Sequence, residues 1–375
     1  MIYKNFQDKK LSALGMGCMR LPGAGYGSAY IDEKQTAQMF DYAIENGVNY
    51  FDTAYGYHAG QSEKVVGKLL KRYPRESYFI ADKFPGYDLS NMSKVEQIFE
   101  EQLQKTGMDY FDFYLFHTVC ENNINEYLDE KYGIFEYLYK QKQNGRIKHL
   151  GFSSHGNLET TTRFLDAYGK AMEFGQLQLN WLDWTFQQGK EQVELLTKYN
   201  IPVWVMEPVR GGKLARLAPK YEEKLRALRP EESTAAWAFR FLQGVNEVTV
   251  TLSGMSDFEQ VKQNIQTYQT EKPLSGEEKS VLAEIAKDML KNLMPCTACR
   301  YCTPYCPMQL DIPNLLELYN NYVFSDGGII TTRKVNALPE DKKPSACLGC
   351  RACEQVCPQN IRISEALADF TERLQ

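Results

Sequence analysis

From about residue 11 to 265 the chain alternates short apolar runs with stretches in which apolar residues recur every three or four positions. The first pattern suits strands and the second amphipathic helices. Leu14-Gly15-Met16-Gly17 predicts a first strand. Residues 34–46 predict a helix, with Met39, Phe40, Ala43 and Ile44 on one face and Gly47 as its stop. Asn49 to Asp52 reads as a second strand, and Val65, Val66, Leu69 and Leu70 mark a second helix. Tyr78 to Ala81 is a third strand, followed by a helix marked by Val95, Ile98, Phe99 and Leu103. Phe111 to Phe116 is apolar apart from Asp112, as expected of a strand covered on both faces. A long helix is expected from about 126 to Gly145. Strands follow at about 148–152, 176–180, 201–206 and 247–251, with helices at about 158–168, 187–198 and 232–242.

Eight β/α repeats within roughly 250 residues predict an α/β fold, a (β/α)8 TIM barrel. A doubly wound sheet usually carries G-x-G-x-x-G after its first strand. Gly15-Met16-Gly17-Cys18-Met19-Arg20 lacks the third glycine, and the glycine-rich loop Gly23 to Gly27 follows Pro22 rather than a strand. The barrel is assigned residues 1–266. Residues 267–293 are charged, with Pro273 and Ser275 opening a linker helix around 277–291. A second domain, 294–375, is expected as a small helix-and-loop unit, with 321–345 a loop between its halves.

Composition adds exclusions. The net charge of −5 argues against nucleic acid, whose phosphates call for a basic surface. No run of 18 apolar residues is present, so no membrane span is expected. Met1 to Phe6 lacks the apolar core of a signal peptide, and a cytoplasmic location is expected.

Cysteine placement says more than the count. Eight of the ten cysteines lie between 296 and 357. Cys296, Cys299, Cys302 and Cys306 precede Pro307; Cys347, Cys350, Cys353 and Cys357 precede Pro358. Each run is C-x2-C-x2-C-x3-C-P, the spacing of two-cluster ferredoxins, in which the fourth cysteine serves the other cluster. Two [4Fe–4S] clusters are therefore expected, one on Cys296, Cys299, Cys302 and Cys357, the other on Cys347, Cys350, Cys353 and Cys306. Zinc usually draws two separated C-x2-C pairs to one ion, which fits these runs poorly. The clusters could carry electrons or serve only as staples.

The predicted strand ends hold the barrel's chemistry. Asp52 closes the second strand and Tyr57 follows; Lys83 closes the third and His117 the fourth. In a barrel these ends share the face where active sites are built. A Tyr phenol has a reference pKa near 10, and an adjacent ammonium lowers it. Asp52 can hold Lys83 charged, His117 can orient a carbonyl oxygen, and Tyr57 can protonate that oxygen as hydride reaches carbon.

Asp52-Thr53-Ala54-Tyr55-Gly56-Tyr57 and Gly60-Gln61-Ser62-Glu63 match the D-T-A-x-x-Y and G-x-S-E motifs of the aldo-keto reductases. Residues 1–266 resemble that family, and the whole chain resembles its subgroup with a dicluster ferredoxin domain. The resemblance implies catalytic Asp52, Tyr57, Lys83 and His117. It also implies NAD(P)H across the barrel mouth, its carboxamide at Ser153, Ser154 and Gln178. Ser154 stands where the family usually has Asn. Met206-Glu207-Pro208-Val209 replaces the family's Y-S-P-L, so Met206 takes the place of the aromatic that covers nicotinamide. Pro208, Arg210 and Gly212 are implied at the pyrophosphate, and Gly254, Ser256, Gln260 and Asn264 at the adenosine. Gln260 stands where NADPH-specific members often have a basic residue, which leaves NADH and NADPH both open.

His58, beside Tyr57, is read as a pocket residue or an exposed bystander, Glu207 as a partner of Arg210, and Cys18 as packing. Trp181 and Trp184 are read as pocket walls or packing. The leading function is NAD(P)-dependent reduction of a small carbonyl, or oxidation of an alcohol, coupled to cluster electron transfer with a ferredoxin-like partner. Hydride carries two electrons and a cluster passes one, so FMN is a candidate splitter. The alternatives are a flavin- or ferredoxin-coupled enzyme using the same pocket for another reduction, and a non-catalytic nucleotide-sensing barrel with structural clusters.

Overall fold

The computed structural model describes residues 1–24, 28–296 and 299–375. Gly25 to Gly27 of the glycine-rich loop lie outside the described residues. The chain divides into two compact units, 1–283 and 284–375.

The first unit begins with a hairpin the hydrophobic pattern did not announce, β1 (Tyr3–Phe6) and β2 (Lys9–Ser12), paired antiparallel. Eight strands follow: β3 (Leu14–Gly17), β4 (Tyr50–Asp52), β5 (Phe79–Phe84), β6 (Phe111–Val119), β7 (Ile147–Ser154), β8 (Phe174–Gln178), β9 (Val203–Met206) and β10 (Val248–Gly254). Each pairs with the next in parallel, and β10 returns to β3, closing the barrel. Both faces of such strands are covered, which is why they read as apolar runs. The interior is aromatic: Tyr50, Phe113, Phe174 and Trp204 are fully buried, all near the N-terminal ends of their strands. The hairpin plugs that end. Its Phe6 meets Trp204 edge-on at 5.1 Å, and Leu11 is fully buried.

The layer of helices outside departs from expectation at several points, though the linker helix falls where it was expected. The helix expected from 126 to 145 is broken into Ile124–Tyr127 and Ile134–Gln143, with Gly133 between them at φ +59°. A helix at Pro219–Leu228, with Pro at its start, was not expected. The linker helix runs Gly276–Leu290. Helices Ser62–Leu70 and Val95–Thr106 pack so closely at Gly67 that a Cβ there would lie 2.1 Å from the Thr106 carbonyl oxygen.

The second unit is built on helices Ile312–Ser325, Ile329–Asn336 and Ile363–Arg373. Part of 321–345, expected as loop, is therefore helical. Phe370 is fully buried between the rings of Tyr319 and Tyr322. Asn320 exchanges two 2.8 Å hydrogen bonds with the backbone of Met294 and fixes the entry to the first cysteine run. Among the described residues, no helix is long and apolar enough to cross a membrane.

Candidate active site

Asp52, at the end of β4, and Lys83, near the end of β5, are both buried, and Lys83 Nζ lies 2.6 Å from Asp52 Oδ1. The ammonium donates a second bond to the Thr53 carbonyl at 2.7 Å. Burial raises the Asp52 carboxyl above the usual carboxylate range, and the Lys83 charge pulls it back. Asp52 Oδ2 is buried without a hydrogen-bond partner. Tyr57 stands over this pair. Lys83 Nζ is 5.0 Å from the centroid of its ring, and the His117 ring is 6.0 Å away on edge, at 78°. The four residues picked from separate strand ends thus occupy one place.

One neighbour, Tyr87, escaped the sequence reading, and another, His58, was read only in part. The Tyr87 ring stands 5.2 Å from His117 at 86°, and a Cβ on Gly56 would lie 2.2 Å from its hydroxyl. Tyr87 therefore touches the loop of one tetrad member and the ring of another. His58 is not an exposed bystander. It is buried; its Nε2 accepts from the Leu21 N–H at 3.1 Å, and its Nδ1 lies 3.0 Å from the Ser28 carbonyl oxygen. The first bond makes Nδ1 the protonated nitrogen. Burial lowers the His58 pKa, which favours this neutral form.

The residues implied for nucleotide binding are unevenly committed. Ser153 and Ser154 are buried at the end of β7. Ser153 Oγ accepts from the Thr118 N–H at 2.8 Å, which leaves its own O–H free to donate. Ser154 Oγ bonds Thr161 Oγ1 at 2.9 Å. Gln178 is tied to Asp183 and Gln187 at 2.9 and 3.1 Å. Gln176, by contrast, pairs with Ser153 across β7 and β8, and its buried Oε1 has no hydrogen-bond partner. Its side-chain nitrogen lies 3.6 Å from the Met206 sulfur. Gln176 went unread because an inward Gln early in a strand looks like packing.

Arg210 is buried and bonded to Asp183 at 2.5 Å, so it enters the site as half of an ion pair. Glu207 is paired with Arg20 at 3.6 Å. Pro208 is buried in the turn between them, and Gly211 and Gly212 follow with φ of +64° and +97°, values glycine tolerates. Gly254 and Ser256 are exposed. Gln260 accepts from the Ser256 N–H at 2.9 Å and donates to Asp257 at 2.6 Å. Asn264 donates to Ser253 at 3.1 Å. Cys18 and Trp181 are buried, and Trp184 packs on Phe241 at 5.5 Å.

In the second unit the eight cysteines divide between two cavities. One is lined by Cys296, Cys299, Cys302 and Cys357. The other is lined by Cys306, Cys347, Cys350 and Cys353. Each takes three thiols from one run and the fourth from the other. Among the described residues no three ligating side chains converge on a single metal ion. Four thiols around a cavity fit a cubane cluster, whose corners hold the ligands apart, better than one tetrahedral zinc.

Residues 13–287 match the model of the aldo/keto reductase family. The chain belongs to the aldo/keto reductase family. It is thus an oxidoreductase, and residues 295–361 match the model of a 4Fe-4S dicluster domain. A probable aldo-keto reductase 1 of Glycine max is 29% identical over 215 residues, covering 55% of this chain and 58% of its own length. The uncharacterized oxidoreductase YqkF of Bacillus subtilis is 24% identical over 76% of this chain and 96% of its own. An NADH-specific methylglyoxal reductase of Escherichia coli is 26% identical, covering 55% and 66%. Among solved structures, aldo-keto reductase AKR11C1 from Bacillus halodurans superposes with a TM-score of 0.61 at 26% identity, covering 76% of this chain and 97% of that one. An aldo-keto reductase from Klebsiella pneumoniae, solved with NADPH, shares the fold at 19% identity and a TM-score of 0.60, covering 76% and 96%.

Proposed function

We propose that the barrel reduces a small carbonyl compound, or oxidises the matching alcohol, and that the second unit holds two [4Fe–4S] clusters that pass electrons. The observation that carries the first part is the buried Lys83–Asp52 pair at 2.6 Å, with its ammonium 5.0 Å from the Tyr57 ring. A nicotinamide nucleotide bound at the barrel mouth supplies the hydride. Tyr57 gives its phenolic proton to the carbonyl oxygen as the hydride reaches carbon. Lys83 stabilises the phenolate left behind, and Asp52 keeps Lys83 charged against the cost of burial. His117 donates a hydrogen bond that orients the carbonyl. The Ser153 hydroxyl and Gln176 Oε1, side by side, match the acceptor and donor of a carboxamide. Met206 beside them offers a polarizable sulfur to an aromatic ring.

The cavity linings support cluster ligation by two sets, Cys296, Cys299, Cys302 with Cys357, and Cys347, Cys350, Cys353 with Cys306. Clusters supply one-electron steps, so feeding them from hydride calls for a splitter, for which FMN is the candidate. A ferredoxin-like carrier is the partner this chemistry implies.

Two measurements test the reading. Tyr57→Phe should lower turnover with a panel of small aldehydes and ketones, beginning with methylglyoxal, by about 100-fold or more; unchanged turnover would remove Tyr57 from the chemistry. Anaerobic protein given NADH and then NADPH should lose cluster absorbance and gain a reduced-cluster EPR signal. Clusters that respond only to dithionite would refute a circuit fed by nucleotide.

A further inference from the structure

β6 does not run straight to its end. Phe116 aligns with Phe152 of β7, but the next aligned pair is Val119 with Ser154. β6 thus carries one extra residue, at His117–Thr118, and such a bulge re-aims a side chain. Thr118 has φ +59°, left-handed backbone that a β-branched residue avoids.

Side chains hold this turn from several sides. Thr118 N–H donates to Ser153 Oγ at 2.8 Å, and its carbonyl accepts from Asn123 Nδ2 at 2.9 Å. The same Asn123 nitrogen donates to the Gly86 carbonyl at 3.0 Å, and Asn123 Oδ1 accepts from the Cys120 N–H at 2.9 Å. Asn123 is 1% exposed, and its amide ties this turn, through its oxygen and one hydrogen, to the Gly86 segment, through the other. Tyr127, equally buried, donates to the His117 carbonyl at 2.9 Å. Gly86 precedes Tyr87, whose ring faces His117 at 5.2 Å. Backbone held in a disfavoured region persists only where its surroundings over-determine it. Here the restraints close on the residue next to His117.

We propose that Asn123 and Tyr127 are positioning residues: they hold Thr118 in left-handed backbone, so that the bulge turns His117 toward Tyr57. The kinetic part of this rests on the carbonyl reduction proposed above; the geometric part does not. The backbone amide and carbonyls they bind are fixed in identity, so substitution at His117 itself is not needed to test the idea.

The chain has four histidines, which makes side-chain NMR of the imidazoles practical. Asn123→Ala and Tyr127→Phe should each move the His117 ring resonances and their titration midpoint. With methylglyoxal and nicotinamide nucleotide, kcat should fall by about 10- to 100-fold, as expected for a misplaced group, while the nucleotide KM holds. Thr118→Gly, introduced with Asn123→Ala, should restore the His117 signal and part of kcat, because glycine adopts left-handed backbone readily. A residue that merely packs would show no such rescue. Unmoved His117 resonances in both single variants, or no rescue by Thr118→Gly, would overturn the proposal. Tyr127→Phe loses a single oxygen and keeps the test valid if Asn123→Ala fails to fold. If no carbonyl is turned over at all, the functional reading falls, and the imidazole spectra still decide the positioning.

Discussion

Asp82 and Lys83 are neighbours on β5 whose side chains serve opposite faces of the strand. Lys83 reaches into the barrel to Asp52; Asp82 turns to the helices outside, where Glu63 and Gln102 are buried with it. Asp82 Oδ1 accepts from the Lys83 N–H at 2.8 Å and from Gln102 at 2.9 Å, and Lys105 reaches Glu63 at 3.2 Å. Burial first, and then the Glu63 charge, push the Asp82 carboxyl far above the usual range, and burial raises Glu63 as well. The pair therefore keeps a proton in the folded chain that the unfolded chain gives up near pH 4. Holding more protons folded than unfolded means that stability falls as pH rises through that window. Asp82→Asn keeps the Oδ1 bonds, offers an N–H toward Glu63 and removes the linkage. We expect the variant to melt higher than the parent at pH 8, by about 2–4 °C if the gain is near 1 kcal/mol, and to lose that advantage at pH 4. A variant that melts lower at pH 8 would mean that burying Asp82 beside Glu63 carries no such cost. The tetrad was legible because Asp52, Lys83 and His117 lie at or near the ends of apolar runs and Tyr57 follows Asp52 in a recognisable motif. Asp82, at an equally visible strand end, was silent because only packing shows which face it serves.

The strands lie within a few residues of where the apolar runs put them, since a strand covered on both faces has nothing else to be made of. The elements that escaped are those whose pattern is weak. β1 and β2 are four residues each and mostly polar, and only Phe6 and Leu11 reveal that they plug the barrel. The helix Ile329–Asn336 carries two isoleucines and two threonines in its first turn, residues of modest helix propensity, so neighbouring helices decide it. The linker helix shows the reverse case, since its charged start is what fixes it. Arg229 grips both Glu278 oxygens, at 2.5 and 2.8 Å, and bonds the carbonyls of Lys272 and Pro273. The Arg229 hydrogen bond holds the Glu278 carboxyl down at about 2. A depressed carboxyl contributes stability fully above its unfolded pKa, near 4.3, and loses it as pH falls toward 2. Glu278→Gln should therefore cost about 1.5–3 kcal/mol at pH 7, the range for hydrogen bonds to charged groups. The deficit in thermal unfolding should shrink steadily below pH 4. A deficit unchanged at low pH would point to lost packing instead.

Across the whole molecule the second unit repeats itself. Arg300 and Arg351 follow matching cysteines with φ of +62° and +60°, and Gln309 and Asn360 recur at +52° and +53°. A duplicated half explains why each cavity borrows a cysteine: each run leads past its own cavity, and its last thiol arrives at the neighbour's. Spacing pointed to the exchange, and the cavity linings support it. The exchange can be tested by iron content and EPR on anaerobically purified protein. The parent should hold about eight irons in two clusters. If Cys306 serves the cavity of Cys347, then Cys306→Ala with Cys347→Ala damages one cluster and leaves the other intact, whereas Cys306→Ala with Cys296→Ala damages both. Local pairing predicts the opposite result for the two double variants. The same set of proteins then bears on the electron path. When nucleotide reduces the parent, the double variant that keeps a single cluster shows whether that cluster accepts the electron, because only that half can still bleach.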